Sequence, residues 1–250
     1  MSNASDTGIV RADAWAGVLV PPSNPTIEPE LARFLAPFVT LFAARFPVMP
    51  GTTLLERNRR YLEIYRESVR AFGELKLAAI LIGLTGPSYR LLPEGDVALC
   101  DELTRVAGGI RVATASRVIA DALAAIGAKR LCMFSPYPEW LTQESVAYWR
   151  AAGHDVVQVV KVSETFRAYE LTDEDVGGAF AEVDNDAIDA TVMSGTGMLT
   201  LPAILAARRA GAKPILSSNL CGAWWMLKRA GVRSGTAMFE RAAPELAALL

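Results

Sequence analysis

Short apolar runs alternate with amphipathic stretches along nearly the whole chain. Residues 16–20, 39–48, 77–84 and 111–113 read as strands. The stretch after Thr26, with Glu28 and Glu30 in an acidic first turn, and residues 53–72 and 94–107 read as helices. After residue 114 the pattern starts again. Helices are predicted over 115–127, 139–152, 173–183, 201–211 and 222–231, and strands over 130–134, 155–162, 187–193 and 214–217. The run 77–84 is apolar throughout, as expected of a parallel strand covered on both faces. Alternation of this kind predicts an α/β fold with mostly parallel sheets.

The two halves resemble each other. Leu19-Val20-Pro21-Pro22 answers Met133-Phe134-Ser135-Pro136, and Gly83 answers Gly195 at nearly the same offset. The expectation is two pseudo-symmetric, Rossmann-like lobes with an active site in the cleft between them. The N-terminal lobe comprises 13–113 plus 218–250, and the C-terminal lobe 114–217, so the chain crosses back at its end. Residues 1–12 are polar and small, read as disordered, and lack the apolar region of a secretory signal.

Two turns stand out. Ile82-Gly83-Leu84-Thr85-Gly86-Pro87-Ser88-Tyr89 and Met193-Ser194-Gly195-Thr196-Gly197-Met198 each follow an apolar run and lead into a helical pattern. Such strand-to-helix turns expose backbone N–H groups and hydroxyls at the carboxyl ends of strands, where small anions bind. Neither carries a Walker pattern or a dinucleotide fingerprint.

Composition narrows the function further. The 250 residues are 52% hydrophobic and 21% charged, with a formal net charge of −2. That excludes a basic nucleic-acid or anionic-membrane surface. The basic run Arg57-Asn58-Arg59-Arg60 is interleaved with Glu56, Glu63 and Glu67 and reads as a solvated helix face. No apolar run is long enough to span a bilayer. Cys100, Cys132 and Cys221 have no metal-ligand spacing, and with no export signal a reducing cytoplasm is expected. His154, the single histidine, lies in a helix-to-strand turn, which argues against Ser-His-Asp chemistry. A site free of metal and cofactor is the simplest expectation.

Taken in order, Val20-Pro21-Pro22-Ser23-Asn24, the turn at Gly83–Gly86, Tyr137, the segment 194–201, and Ser217-Ser218-Asn219 followed by Trp224 resemble the maleate isomerase and arylmalonate decarboxylase family of the aspartate/glutamate racemase superfamily. The resemblance covers residues 16–231. In that superfamily two cysteines at strand ends act as acid and base on opposite faces of a carbon. Decarboxylases keep only the second, with glycine at the first. Aligned without gaps, both positions here are glycine, Gly83 and Gly195. The resemblance then implies a small carboxylate or dicarboxylate substrate without the two-thiol mechanism.

Site expectations follow from both sources. Thr85, Ser88 and Thr196, with the backbone near Gly83, Gly86, Gly195 and Gly197, form candidate carboxylate or enolate nests. Asn24 and Asn219 are candidate substrate contacts, and Tyr137 matches the family tyrosine that hydrogen-bonds a carboxylate, although an interface aromatic is an alternative. Tyr137, Ser194, Thr196 or a water are candidate proton carriers. Cys221 is either a small residue packed under a helix or a relocated acid/base at a helix N-terminus. Arg45 is either a carboxylate clamp or one half of a surface ion pair. Cys100, Cys132, Trp224 and Trp225 read as core. Three functions are open: a decarboxylase-type lyase working through an enediolate, an isomerase or racemase using Cys221 or Tyr137, and a non-catalytic carboxylate-binding protein. The Leu-rich end 246–250 leaves homo-oligomerisation open.

Overall fold

The computed structural model describes residues 12–250 except 164 and 168. The expectation of disorder therefore falls, for residues 1–11, outside the described part. The first sheet contains β1 (Ala14–Val20), β2 (Val39–Arg45), β3 (Ala79–Ile82) and β4 (Arg111–Thr114), with α1 (Ile27–Leu35), α2 (Leu54–Ser68), α3 (Gly86–Tyr89) and α4 (Leu92–Val106) between them. After α5 (Ala115–Ile126) the second sheet is built from β5 (Arg130–Ser135), β6 (Asp155–Lys161), β7 (Ala190–Met193) and β8 (Ile215–Ser217). Its helices are α6 (Glu139–Ala151), α7 (Asp173–Ala179) and α8 (Leu201–Arg209), and α9 (Ser218–Arg229), α10 (Ala237–Ala242) and α11 (Pro244–Ala247) close the chain.

Strand orders are β2-β1-β3-β4 and β6-β5-β7-β8, every pair parallel. The fold is α/β with one order used twice. Side-chain alternation assigns the faces of the first sheet. Ala16, Val18, Val20, Ala79 and Leu81 join the core that continues into the second sheet. Leu19, Ile80 and Ile82 point the other way, into a smaller core with Tyr61 and Tyr65 of α2 and Leu103 of α4. Central β3 and β7 are buried at every residue, which explains the unbroken apolar sequence of β3 and the single polar residue, Thr191, of β7. Edge strand β6 leaves Val157 and Val159 exposed.

Local signals explain the helix boundaries. Thr53 and Glu56 form a reciprocal capping box on α2. Gly127 ends α5 in the left-handed conformation, φ 70°. Thr26 makes no side-chain cap on α1; the Oδ1 of Asn24 accepts from the N–H groups of Thr26 and Ile27 instead. Helix α9 leaves the second sheet at β8 and packs on α1 and β3 of the first. Among the described residues no helix is long and apolar enough to cross a membrane.

Candidate active site

A cleft of about 270 Å³ opens where the carboxyl ends of β1, β3, β5 and β7 converge. Pro21 and Pro22 follow β1, Leu84, Thr85 and Gly86 follow β3, Tyr137 follows β5, and Gly195, Thr196 and Gly197 follow β7. In parallel sheets this is where ligands bind.

Hydrogen bonds at the strand ends fix which residues of the two lobes correspond. Gly83 N–H donates to Leu19 O at 2.8 Å, and Ser194 N–H to Phe134 O at 3.2 Å. Leu19 is paired with Ile82, and Phe134 with Met193. Gly83 therefore corresponds to Ser194, and Gly195 to Leu84. The gapless match of Gly83 with Gly195 is one residue out of register, as is that of Leu19 with Met133. A slip of one reverses the direction of a side chain. A Cβ on Gly83 would lie 2.5 Å from Ile27 Cδ1 and 2.8 Å from Leu19 O. Position 83 thus faces packed interior, and Leu84 takes the place on the cleft.

Both turns present free donors. Among the described residues, the backbone N–H groups of Thr85, Gly86, Gly195, Thr196 and Gly197 meet no protein acceptor, and all five residues line the cleft. Gly195 has φ +93°, a conformation that a side chain would strain. Tyr137 bridges the turns. Its hydroxyl shares a 2.5 Å hydrogen bond with Thr85 Oγ1 and lies 3.3 Å from where a Cβ on Gly195 would be. Burial pushes the Tyr137 hydroxyl well above the usual tyrosine range, so it is protonated at neutral pH.

Other expected site residues form the layer behind. Thr196 Oγ1 donates to Gly83 O at 2.8 Å and accepts from Asn24 Nδ2 at 2.9 Å. Its proton is committed, which removes that hydroxyl as a proton carrier and leaves Thr196 its N–H. Asn24 is spent on Thr196 and the α1 cap, and it does not line the cleft. Asn219 Nδ2 donates to Thr196 O and to Glu30 Oε2. Ser194 is fully buried and shares a 2.8 Å hydrogen bond with Tyr89 OH; it supports the turn from below. Ser88 is fully buried near Asp96, off the cleft.

The relocated-thiol reading of Cys221 is corrected. Cys221 is 0% exposed within the apolar core, and burial drives its thiol far above the ordinary value. The helix N-terminus does not offset that desolvation. Cys100 and Cys132 are also buried, with burial the largest cause raising each thiol to about 12. Arg45 pairs with Glu28 and donates to the carbonyls of Pro21, Pro22 and Asn24. It braces the β1–α1 loop and does not line the cleft.

Two buried acids tie neighbouring elements together behind the cleft. Glu30 accepts from Thr200 N, Thr200 Oγ1, Leu201 N and Asn219 Nδ2, which ties α1 to the start of α8. Asp96 accepts from Thr114 Oγ1 and Tyr148 OH. Burial, the dominant cause, raises both carboxyl pKa values against these donors.

The arylmalonate decarboxylase family matches residues 16–241, nearly the whole length. The chain belongs to this family. It is 26% identical over 225 residues to maleate isomerase of Nocardia farcinica, covering 85% of this chain and 88% of that one. Its fold superposes on a maleate isomerase variant from Pseudomonas putida S16 solved with maleate, with a TM-score of 0.83 at 21% identity, covering 94% and 98% of the two chains. A liganded double mutant of arylmalonate decarboxylase gives 0.76 at 21% identity, covering 93% and 99%. These relatives are enzymes of one family with two different reactions.

Within this family frame, the cleft also contains residues that the sequence reading did not single out. Arg57, Asn58 and Tyr61 of α2 line it, as do Phe166 and Tyr169 from the segment after β6. The basic run is therefore only partly a solvated face: Arg59 and Arg60 are exposed, while Asn58 is buried. The i, i+3, i+4, i+7 spacing of Leu54, Arg57, Asn58 and Tyr61 was the available signal.

Proposed function

We propose that this protein is a cofactor-independent lyase that releases carbon dioxide from a small acid with two carboxylates on one carbon, through an enediolate. The observation that carries this is a cleft rich in hydrogen-bond donors and without a thiol among its lining residues. Two-thiol racemisation and isomerisation have no acid/base pair there. Decarboxylation needs neither thiol for its first step. The C–CO₂ bond breaks, its electron pair moves onto the remaining carboxylate, and the resulting enediolate is stabilised by preorganised donors. The free N–H groups of Thr85, Gly86, Gly195, Thr196 and Gly197 suit that role, with Tyr137 OH. Leu84, Met49, Leu141 and Phe166 give the same cleft an apolar wall, which favours the uncharged carbon dioxide over the carboxylate that leaves. Protonation of the carbon completes the reaction. Tyr137, neutral and on the cleft, is the assigned donor and regains its proton from solvent.

A second reading is cis–trans isomerisation, supported by the identity to maleate isomerases. With Cys221 buried, this route needs Tyr137 as its acid/base. Proton NMR in D₂O with substituted malonates and maleate, together with carbon dioxide detection, separates the readings. The expected result is a deuterated product with stoichiometric carbon dioxide. Fumarate from maleate without carbon loss would overturn the lyase and establish the isomerase. Ligand-dependent stabilisation with no turnover across the panel would favour the carboxylate-binding protein.

A further inference from the structure

The face that α2 turns to the cleft carries a charge that the chemistry at the turns does not use. Arg57 is half-buried there. Among the described residues it meets no carboxylate, since the ion pairs present involve other cations, and no Asp or Glu lines the cleft. Its charge reaches the hydroxyls of Tyr61 and Tyr169, where it acts against the burial that raises both. Asn58, next on the same stripe, is 3% exposed. Its Nδ2 has no hydrogen-bond partner among the described residues. The amide sits against the first turn: a Cβ on Gly86 would lie 2.9 Å from Nδ2. Buried amide donors are nearly always satisfied, so an amide and a guanidinium that are both unpaired among the described residues, side by side on a cleft, suit an acceptor brought by a ligand.

We propose that Arg57 and Asn58 form a binding site for an oxyanion carried by the substrate, additional to the carboxylate held at the glycine turns. A guanidinium fork and a carboxamide N–H together match the several lone pairs of a carboxylate or similar oxyanion. The substrate class is then a small acid with an anionic group besides the carboxylate at the turns and any that leaves as carbon dioxide, recognised by α2. This assignment rests on the reading that the turns bind a carboxylate.

Calorimetric titration of the full chain with unreactive acids matched in carbon number tests it: glutarate against valerate, and succinate against butyrate. In at least one pair the dianion should bind about tenfold or more tightly to the wild type, the scale of one charge-assisted hydrogen bond. The gap should close in Arg57→Met and partly survive in Arg57→Lys. Arg57→Met should melt with the wild type, because Arg57 makes no ion pair among the described residues; Arg57→Gln is the second neutral variant. Equal binding within both pairs, or a gap unchanged in both neutral variants, overturns the assignment. Its failure separates from failure of the lyase. Selective dianion binding lost in Arg57→Met, without carbon dioxide from any malonate, would overturn only the lyase. Carbon dioxide release with kcat/KM unchanged in Arg57→Met would overturn only the α2 site. No binding of any acid would overturn both.

Discussion

At the scale of single residues, a side chain's surroundings decide its chemistry more than its type does. Tyr137 and Cys221 both contain an ionisable proton, and burial raises both pKa values. Only Tyr137 borders the cleft. Tyr137→Phe should lower kcat by about 10²–10⁴, the usual contribution of a positioned acid. Its effect on stability should stay near or below about 1 kcal/mol, since one hydrogen bond to Thr85 is lost. Cys221→Ala should do the reverse, leaving kcat unchanged and costing about 1 kcal/mol for the atom removed from a packed core. Steady-state kinetics on the two purified variants, with urea melts alongside, check both. A silent Tyr137→Phe would remove the phenol as the proton donor to carbon. The hydroxyls of Thr196 and Ser194 illustrate the same lesson: both residue types suit proton transfer, and both are committed to other protein groups.

At the scale of elements, parallel strands must enter in register for the turns at their far ends to face one another. Asp189, just before β7, accepts from the N–H groups of Lys129 and Arg130 and from the Arg130 side chain. These bonds tie the starts of β5 and β7. They hold the Asp189 carboxyl down from 3.8 to about 2, the backbone bonds to Arg130 and Lys129 contributing most. Because the folded pKa is lowered, the contribution is present above the unfolded value near 3.8 and is lost as pH falls through about 2. The urea midpoint of the wild type should therefore fall more steeply between pH 4 and pH 2 than that of Asp189→Asn. Parallel profiles would show that the tether adds nothing. The α2 stripe belongs to this scale too. Leu54, Arg57, Asn58 and Tyr61 are far less informative in sequence than on one helical face, where they border the same cleft.

At the scale of the whole molecule, the lobes are joined by helices that pack across them. Helix α9 begins at the end of β8 and rests on β3, where a Cβ on Gly222 would lie 2.6 Å from Leu81 Cδ2. Gly222→Ala should cost about 1–3 kcal/mol by overpacking, measured as a lower urea midpoint with an unchanged slope. No loss would mean that α9 can shift on the sheet freely.

The sequence by itself determined the order of strands and helices, the repeated halves and the two glycine turns. These depend on apolar periodicity and on turn residues, which act over a few positions. The tertiary structure alone decided that Leu84, rather than Gly83, opposes Gly195, because register is set by hydrogen bonds between strands far apart in the chain. It likewise decided that Cys221 is sealed in the core while Arg57 borders the cleft. A helical side chain is buried or presented by what packs against it, and those partners come from other elements.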